Sequence, residues 1–242
     1  VELTATGREL LLRGAVALGE ELSPTIHLFE RLYAQLTEAN RQINLTSLRE
    51  ERDIVLKHFL DSLTCLASGL LEGPLEVVDV GTGAGFPGLP LKIARPSLRM
   101  YFLEATRKKL RYVEESCALL GLGDTAFVWG RAEQIAHQPE YRARFDRAVI
   151  RAVGSMGQIS ELCLPLLKVG GYLIAQKGPE VARELEGVER GLRPLGGVLE
   201  EVKELELPES GDQRRLVIIK KVAATEPRYP RRPEAIARHG LF

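Results

Sequence analysis

The run Val77-Val78-Asp79-Val80-Gly81-Thr82-Gly83-Ala84-Gly85-Phe86-Pro87-Gly88 carries the strongest chemical signal in the chain. An apolar segment ending in closely spaced glycines has the make-up of a buried strand that turns sharply. Glycine is required there if the backbone takes unusual dihedrals or a ligand must approach without meeting a Cβ. The following helix is expected to start near Pro87, with Pro90 tolerated only in its first turn. Backbone N–H groups in that turn lack helical partners, which predicts a seat for an anionic group such as a carboxylate or phosphate. Gly83 to Gly88 satisfies G-x-G-x-x-G, so a dinucleotide site has to be weighed. Two features argue against it: Asp79 precedes the first glycine, giving Asp-x-Gly-x-Gly-x-Gly, and no second mononucleotide-binding half follows.

Further polar groups fall at strand ends. Met100-Tyr101-Phe102-Leu103-Glu104 ends in a carboxylate 23 residues beyond Gly81. In a doubly wound sheet that places Glu104 beside the glycine loop, able to accept from both hydroxyls of a ribose. Its alternative is a helix-start acid favoured by the helix dipole. Trp129-Gly130-Arg131-Ala132-Glu133-Gln134 reaches the same sheet edge, where Glu133 would meet an adenine amino group. His58 and Asp61 lie one helical turn apart, the spacing of an acid/base pair, though a structural or nucleic-acid-touching role suits them better. His27, His137 and His239 have no evident partners. There is no Ser/His/Asp set, no carboxylate dyad and no metal-ligand spacing.

The elements that must hold these groups show in the apolar pattern. Up to about residue 70 the periodicity is helical only: Leu3, Leu10, Leu11 and Leu18, then Ile26, Leu28, Phe29, Leu32, Tyr33 and Leu36. Ser23-Pro24 has the form of an N-cap followed by proline, and Ser47-Leu48-Arg49-Glu50 that of a capping box opening a third helix. From Leu75 onward, short apolar runs alternate with amphipathic segments, the pattern of βαβ units and a parallel sheet. Strands are expected near 76–80, 99–104, 125–130, 145–150, 171–176, 197–206 and 214–222. Helices are expected near 88–95, 107–121, 131–138, 154–168 and 179–193. The last two strands are joined by Pro208-Glu209-Ser210-Gly211-Asp212, too short for a crossover helix, which forces an antiparallel pair. The expected architecture is an α/β Rossmann-like fold: a seven-stranded, mostly parallel sheet ending in a hairpin, with an N-terminal helical extension. The organisation is a helical extension at 1–70, the α/β domain at 71–224 and a basic tail at 225–242, read as extended or loosely docked.

Composition narrows the class. Hydrophobic residues make up 45% and charged residues 27% of the 242 residues, as in ordinary globular domains, and disordered or fibrous readings drop out. Lys plus Arg and Asp plus Glu each number 33, so net charge is zero and any nucleic-acid site must be a local patch. Three such patches stand out: Arg107-Lys108-Lys109 with Arg111, the four arginines between Arg142 and Arg151 (net +3 against Asp146), and the tail with Arg228, Arg231, Arg232 and Arg238 (net +2). Cys65, Cys117 and Cys163 are scattered and odd in number, which suits a reducing compartment. No apolar stretch approaches the roughly 18 residues of a membrane span, and no secretion signal is evident, so the cytoplasm is expected.

The Asp-x-Gly-x-Gly-x-Gly loop and the terminal hairpin together resemble S-adenosylmethionine-dependent methyltransferases of the Rossmann-like type. Further segments sharpen the likeness. Asn44-Leu45-Thr46, Lys57-His58-Phe59-Leu60-Asp61-Ser62-Leu63, Asp79 to Gly88 with Leu89-Pro90-Leu91-Lys92, Gly130-Arg131-Ala132-Glu133 and Arg147-Ala148-Val149-Ile150-Arg151-Ala152 occur in this order. With Lys177-Gly178 and the closing Tyr229-Pro230-Arg231-Arg232, the chain from residue 40 onward resembles the RsmG (GidB) family.

That resemblance implies methylation of N7 of one guanine in the 530 loop of bacterial 16S ribosomal RNA, with S-adenosylmethionine as cofactor and S-adenosylhomocysteine as product. It implies a cofactor site formed by Asp79, Gly81, Gly83, Phe86, Glu104, Ala105, Thr106, Ala132, Glu133 and Arg151. Gly81 and Phe86 fall at the methionine end, Glu104 to Thr106 near the ribose, and Ala132 and Glu133 near the adenine. Arg151 is the candidate for orienting the base or the cofactor carboxylate. His58, Lys108, Lys177, Arg228, Arg231 and Arg232 are the candidate RNA contacts. The partner would be 16S rRNA or the small ribosomal subunit, with no membrane, no metal and a monomeric enzyme. Departures from the family pattern are Glu104-Ala105 for a frequent Asp-Ser, Lys108-Lys109 for Lys-Arg, Lys57 for an arginine, and the tail after Arg232. Guanine N7 has a lone pair and no hydrogen, so its methylation needs alignment and no general base. The competing readings are an NAD-dependent oxidoreductase and a non-catalytic RNA-binding module.

Overall fold

The computed structural model describes residues 2–151 and 154–242. Ala152, which closes one of the quoted motifs, lies outside the described residues. Two helices open the chain, α1 (Ala5–Ala17) and α2 (Ile26–Ile43). A composite helix follows: α3 (Glu51–Ile54), a π-helical turn (Val55–Leu60), α4 (Asp61–Leu63) and a 3-10 turn (Thr64–Ser68). The α/β part runs β1 (Glu76–Val80), α5 (Gly88–Ala94), β2 (Arg99–Glu104), α6 (Arg107–Leu120), β3 (Thr125–Trp129), α7 (Ala132–Ile135) and β4 (Phe145–Arg151). It continues with α8 (Met156–Cys163), a 3-10 turn (Leu164–Leu166), β5 (Leu167–Lys177), α9 (Val181–Glu184), α10 (Val188–Leu192) and a 3-10 turn (Arg193–Leu195). The last elements are β6 (Gly197–Glu206), β7 (Gln213–Lys221) and α11 (Pro233–Arg238).

The seven strands form one sheet in the order β3-β2-β1-β4-β5-β7-β6. β1 to β5 pair in parallel, while β7 runs antiparallel to both β5 and β6. The hairpin read from the short Pro208–Asp212 link is present. One face of the sheet packs on α5, α6 and the N-terminal helices, where Leu11, Phe29, Leu36, Phe59 and Leu60 share a core with Leu89, Leu91 and Phe102. The other face buries Val78, Leu103, Ile150 and Leu173 against Met156, Ile159 and Cys163 of α8. The N-terminal helices therefore complete the sheet's own core, which brings the π-helical turn to the carboxyl edge of the strands.

Three local expectations are corrected. α2 starts at Ile26 with Thr25 at its N-cap, and the Ser23 N–H is taken by the Glu21 carboxylate at 2.7 Å, so Ser23 caps nothing. The capping box at Ser47 does not form; the helix begins after Glu50, which makes no side-chain cap, and Glu51 instead accepts from the Thr4 N–H and hydroxyl. The single helix expected at 179–193 is two short ones, because Gly187 adopts a left-handed φ of 76° between them.

The tail also departs from the loosely docked reading. Arg142 donates to the carbonyls of Tyr229 (2.9 Å), Thr225 (3.2 Å) and Glu226 (3.3 Å). Arg231 grips Glu161 of α8, whose side chain is completely buried, with Nη2 at 2.7 Å and its own N–H at 2.7 Å. The Phe242 ring packs where a Cβ on Gly191 would stand, so glycine makes room for the chain's last side chain.

Candidate active site

After β1 the chain turns through Gly81, Gly83 and Gly85, with φ of 69°, 59° and 89°. Residues with a Cβ rarely take these values. Asp79 lies fully buried beneath the turn: its Oδ2 accepts from the Thr82 hydroxyl (2.6 Å) and the Gly88 N–H (2.9 Å). Burial pushes its carboxyl up to about 6, against the pull of those two bonds. Its Oδ1 has no hydrogen-bond partner among the described residues.

The expected anion seat is not there. The Gly81 and Thr82 N–H groups donate to the Leu103 carbonyl (2.8 and 3.1 Å), and Gly85 and Phe86 to the Thr82 carbonyl (2.9 and 3.1 Å). Gly83 N–H donates to Glu104 Oε2 at 3.0 Å. With these donors satisfied internally, the turn offers no cradle for a pyrophosphate, and the dinucleotide reading loses its physical basis. The turn instead leaves room: a Cβ on Gly83 would have only the Gly81 carbonyl nearby, at 3.9 Å.

Glu104 ends β2 beside this space, and its other oxygen accepts from the Thr106 N–H at 2.7 Å. A carboxylate has about four acceptor positions, so each oxygen keeps capacity for a hydroxyl while the side chain is already held. Ala105 and Thr106 are exposed on the rim, and Ala132 and Glu133 open α7 one strand further along. Trp129, paired in register with Glu104, is 58% exposed; its Nε1–H donates to the Ala105 carbonyl (3.1 Å) and Arg107 stacks 5.0 Å above its ring. Asp79, Gly81, Gly83, Glu104, Ala105, Thr106, Ala132 and Glu133 thus share one edge of the sheet.

Phe86 turns toward the N-terminal helices. The His58 ring stacks on it, 4.4 Å between centroids at 4°, and the Arg151 guanidinium lies 5.4 Å from the same ring. Arg151 donates to the Lys57 carbonyl (2.8 Å), to His58 Nδ1 (3.0 Å) and to Asp61 Oδ2 (3.4 Å). Since arginine has only donors, His58 Nδ1 is the acceptor, and Nε2–H then donates to the Thr46 hydroxyl at 2.7 Å. Thr46 is held in turn by Asn40, whose amide meets its carbonyl and N–H at 2.9 Å each. Arg214 takes the other oxygen of Asp61 at 2.9 Å. Thr46, Lys57, His58, Asp61, Arg151 and Arg214 line a cleft of about 410 Å³ at the ends of β4 and β5.

His58 belongs to the π-helical turn, a distortion that recurs at functional sites. Burial, with help from the Arg151 charge, depresses its imidazole to about 3. A base with a lowered folded pKa contributes stability above its unfolded value near 6.5, lost as pH falls from there toward 3. Wild-type protein should therefore lose stability relative to His58→Gln between pH 7 and 5, by at most about 1.4 kcal/mol per pH unit. Asp79, shifted the opposite way, cancels in that difference. Denaturant melts of both proteins across this range check it; a pH-independent gap contradicts the depressed imidazole.

The candidate RNA contacts divide. Lys108, Arg228 and Arg232 are exposed. Lys177 is tied to Glu184 (2.8 Å) and the Gly154 carbonyl (2.9 Å), and Arg231 is closed onto buried Glu161. The patch between Arg142 and Arg151 is corrected outright: Arg142 holds the tail, Arg144 pairs with Glu76, Arg147 donates to the Leu70 carbonyl and Arg151 enters the cleft network. Sequence reasoning overlooked Asn40, Gln176 and Arg214. Arg214 had a usable signal, because an antiparallel last strand starts at the edge where the parallel strands end.

A sheet of this order, with its antiparallel seventh strand, a glycine turn after β1 and a carboxylate from β2 against it, defines the Rossmann-like S-adenosylmethionine-dependent methyltransferases. Solved structures agree on the fold: a SAM-dependent methyltransferase from Aquifex aeolicus (TM-score 0.54, 20% identity, 74% of this chain and 97% of that one) and M. jannaschii TYW2 in complex with AdoMet (TM-score 0.52, 14% identity, 67% and 77%). Residues 25–217 match the family described as rRNA small subunit methyltransferase G, GidB. Relatives named ribosomal RNA small subunit methyltransferase G, from Deinococcus deserti and Deinococcus radiodurans, are each 48% identical, over 97% and 99% of this chain and 96% and 95% of their own length. The chain belongs to the rRNA small subunit methyltransferase G family.

Proposed function

We propose that this protein methylates N7 of a guanine in the 530 loop of 16S rRNA. Methyl transfer from S-adenosylmethionine to small-subunit ribosomal RNA is the activity of the family; the base and atom are the finer step. The observation that carries it is the state of the polar groups in the cleft. His58 has both ring nitrogens engaged and stays neutral, and Asp61 is flanked by two arginines. Glu104 is bonded into the glycine turn and Asp79 is sealed under it. No group facing the cleft among the described residues stands ready to take a proton. Guanine N7 is a nucleophile that has none to give.

The residues present fit the cofactor. The open space at Gly83, the ribose-ready Glu104 and a loop closed to phosphate suit a nucleoside without a pyrophosphate. Asp79, Gly81 and Gly83 would line its path, Glu104 to Thr106 the ribose, Ala132 and Glu133 the adenine, and Phe86 with Arg151 the methionine end. Once bound, the sulfonium supplies the methyl group and the positive charge that passes to the purine. The protein's own task is alignment, worth several kcal/mol of barrier. Arg151, clamped by Lys57, His58 and Asp61, is fixed rather than searching, and it lies against Phe86 where cofactor and base would meet.

Lys108, Arg228 and Arg232 are the surface contacts proposed for RNA phosphates. Arg107, Lys108 and Lys109 fill the first turn of α6, where no acidic residue stands and the helix dipole disfavours cations. Their placement makes sense against an external polyanion. A bacterial ribosomal substrate would place this protein, taken as a monomer, in the cytoplasm. No helix among the described residues is long and apolar enough to cross a membrane.

The test replaces the target guanine with 7-deazaguanine in small subunits assembled in vitro. Methyl transfer should vanish while binding persists. Undiminished transfer would reject N7.

A further inference from the structure

We infer that Trp129, with the cations beside it, is a stacking platform for an unpaired nucleotide of the ribosomal RNA other than the one methylated; this rests on the RNA substrate named above and not on the choice of N7. Trp129 ends β3 and is 58% exposed. A lone exposed apolar side chain needs no explanation. This one differs because it is held in place. Its Nε1–H donates to the Ala105 carbonyl at 3.1 Å and the Arg107 guanidinium lies 5.0 Å from the ring centre, while no other aromatic ring packs on it among the described residues.

The indole lies on the opposite side of the sheet from the residues proposed for the adenine. Side chains alternate along a strand: Phe127 stacks on Phe102, and Val128 enters the core on the α8 side. Trp129 therefore leaves the sheet on the α6 side, in keeping with its contact to Arg107. α7, which carries Ala132 and Glu133, packs through Ile135 and Ala136 into the α8-side core. The cleft is also distant. It lies at β4 and β5, and β3 is three strands from β4, roughly 14 Å at about 4.8 Å per strand. A base on Trp129 thus belongs to a different nucleotide from one in the cleft.

Charge selects the occupant. Arg107, Lys108 and Lys109 open α6 and Arg131 follows β3, and none of the four forms an ion pair among the described residues; the basic residue of α6 that does is Arg111, with Glu115 at 2.9 Å. Three of these cations also oppose the helix dipole. A single-stranded polyanion satisfies both features, because its phosphates meet the cations while a splayed base lies on the indole. Duplex RNA keeps its bases stacked on one another and has none to offer.

The experiment compares wild type, Trp129→Ala and Trp129→Phe in methyl transfer to unmodified small subunits, with S-adenosylmethionine affinity measured by calorimetry. Loss of one stacked base should lower kcat/KM for subunits roughly 5- to 100-fold, through KM. The Phe variant keeps a ring face and should recover most of that loss. Cofactor affinity should be the same in all three proteins. Trp129 is the chain's sole tryptophan, so wild-type emission reports this ring alone and should be quenched by deproteinised 16S rRNA. An Ala variant with unchanged KM, a Phe variant as weak as the Ala variant, a fall in cofactor affinity, or unquenched emission on bound rRNA would each overturn the assignment and leave the N7 reading intact. A wild type inert toward the subunits would remove the substrate itself.

Discussion

Gly83→Val should abolish S-adenosylmethionine binding, by at least about 100-fold, in a protein that still folds. The two halves of this expectation have different causes. Stability falls modestly, because a side chain at φ 59° pays roughly 1–2 kcal/mol for a left-handed backbone. No protein atom clashes, since the nearest to a Cβ there is the Gly81 carbonyl at 3.9 Å. Binding falls steeply, because the isopropyl group enters the space beside Glu104 proposed for the nucleoside. Gly88→Ala is the contrasting control. Its Cβ would fall 2.5 Å from Asp79 Oδ2 and 2.5 Å from the Phe102 ring, so it should damage the turn and the fold together. Titration calorimetry with thermal melts separates the two, and a folded Gly83→Val protein with unchanged affinity would move the cofactor elsewhere.

The second large effect is one of stability. Arg231→Ala should cost about 3 kcal/mol or more, because it leaves the completely buried Glu161 carboxylate with the Arg231 N–H and no charge partner. Loss of the clamp should also loosen the tail, whose Arg231 guanidinium further binds the His239 carbonyl at 2.8 Å. Glu161→Leu combined with Arg231→Ala should recover part of the loss, since replacing both charges removes the uncompensated one. If Arg231 were instead a phosphate contact, its alanine variant would stay within about 0.5 kcal/mol of wild type and lower the salt dependence of RNA binding by about one unit of slope. Denaturant unfolding and salt titration give the two answers directly.

Both predictions concern things a sequence shows unequally well. The seven strands and the order of helices were readable because apolar runs of strand length, glycine turns and amphipathic stretches repeat along the chain. The antiparallel end followed from the short Pro208–Asp212 link alone. Helix starts were less readable: Ser23-Pro24 and Ser47-x-x-Glu50 have the right residues for capping, yet the Ser23 N–H goes to the neighbouring Glu21 carboxylate and Glu51 at the observed start is taken by Thr4 from the first helix. A π-helical turn has no residue signature, and its presence around His58 emerges only from packing.

At the site, residue types at strand ends pointed to Asp79 and Glu104, and the family resemblance to Arg151. What each one bonds to was hidden. Arginines show how far charge counting can mislead: those from Arg142 to Arg151 suggest a basic patch in sequence and are internal fasteners in space. Likewise the N–H groups of Gly81, Thr82 and Gly83 were counted as vacant because their acceptors, the Leu103 carbonyl and Glu104, come from the next strand. That closure is itself informative, since it argues against a pyrophosphate seat in the turn.

The most direct measurement is to incubate the wild-type protein with S-adenosylmethionine and unmodified small subunits, then reduce the extracted RNA with borohydride and cleave it with aniline, chemistry that breaks chains at N7-methylguanine. Strand scission at one guanine of the 530 loop, dependent on enzyme and cofactor, is the predicted result. Methyl incorporation without such scission, or scission at unrelated guanines, would contradict it.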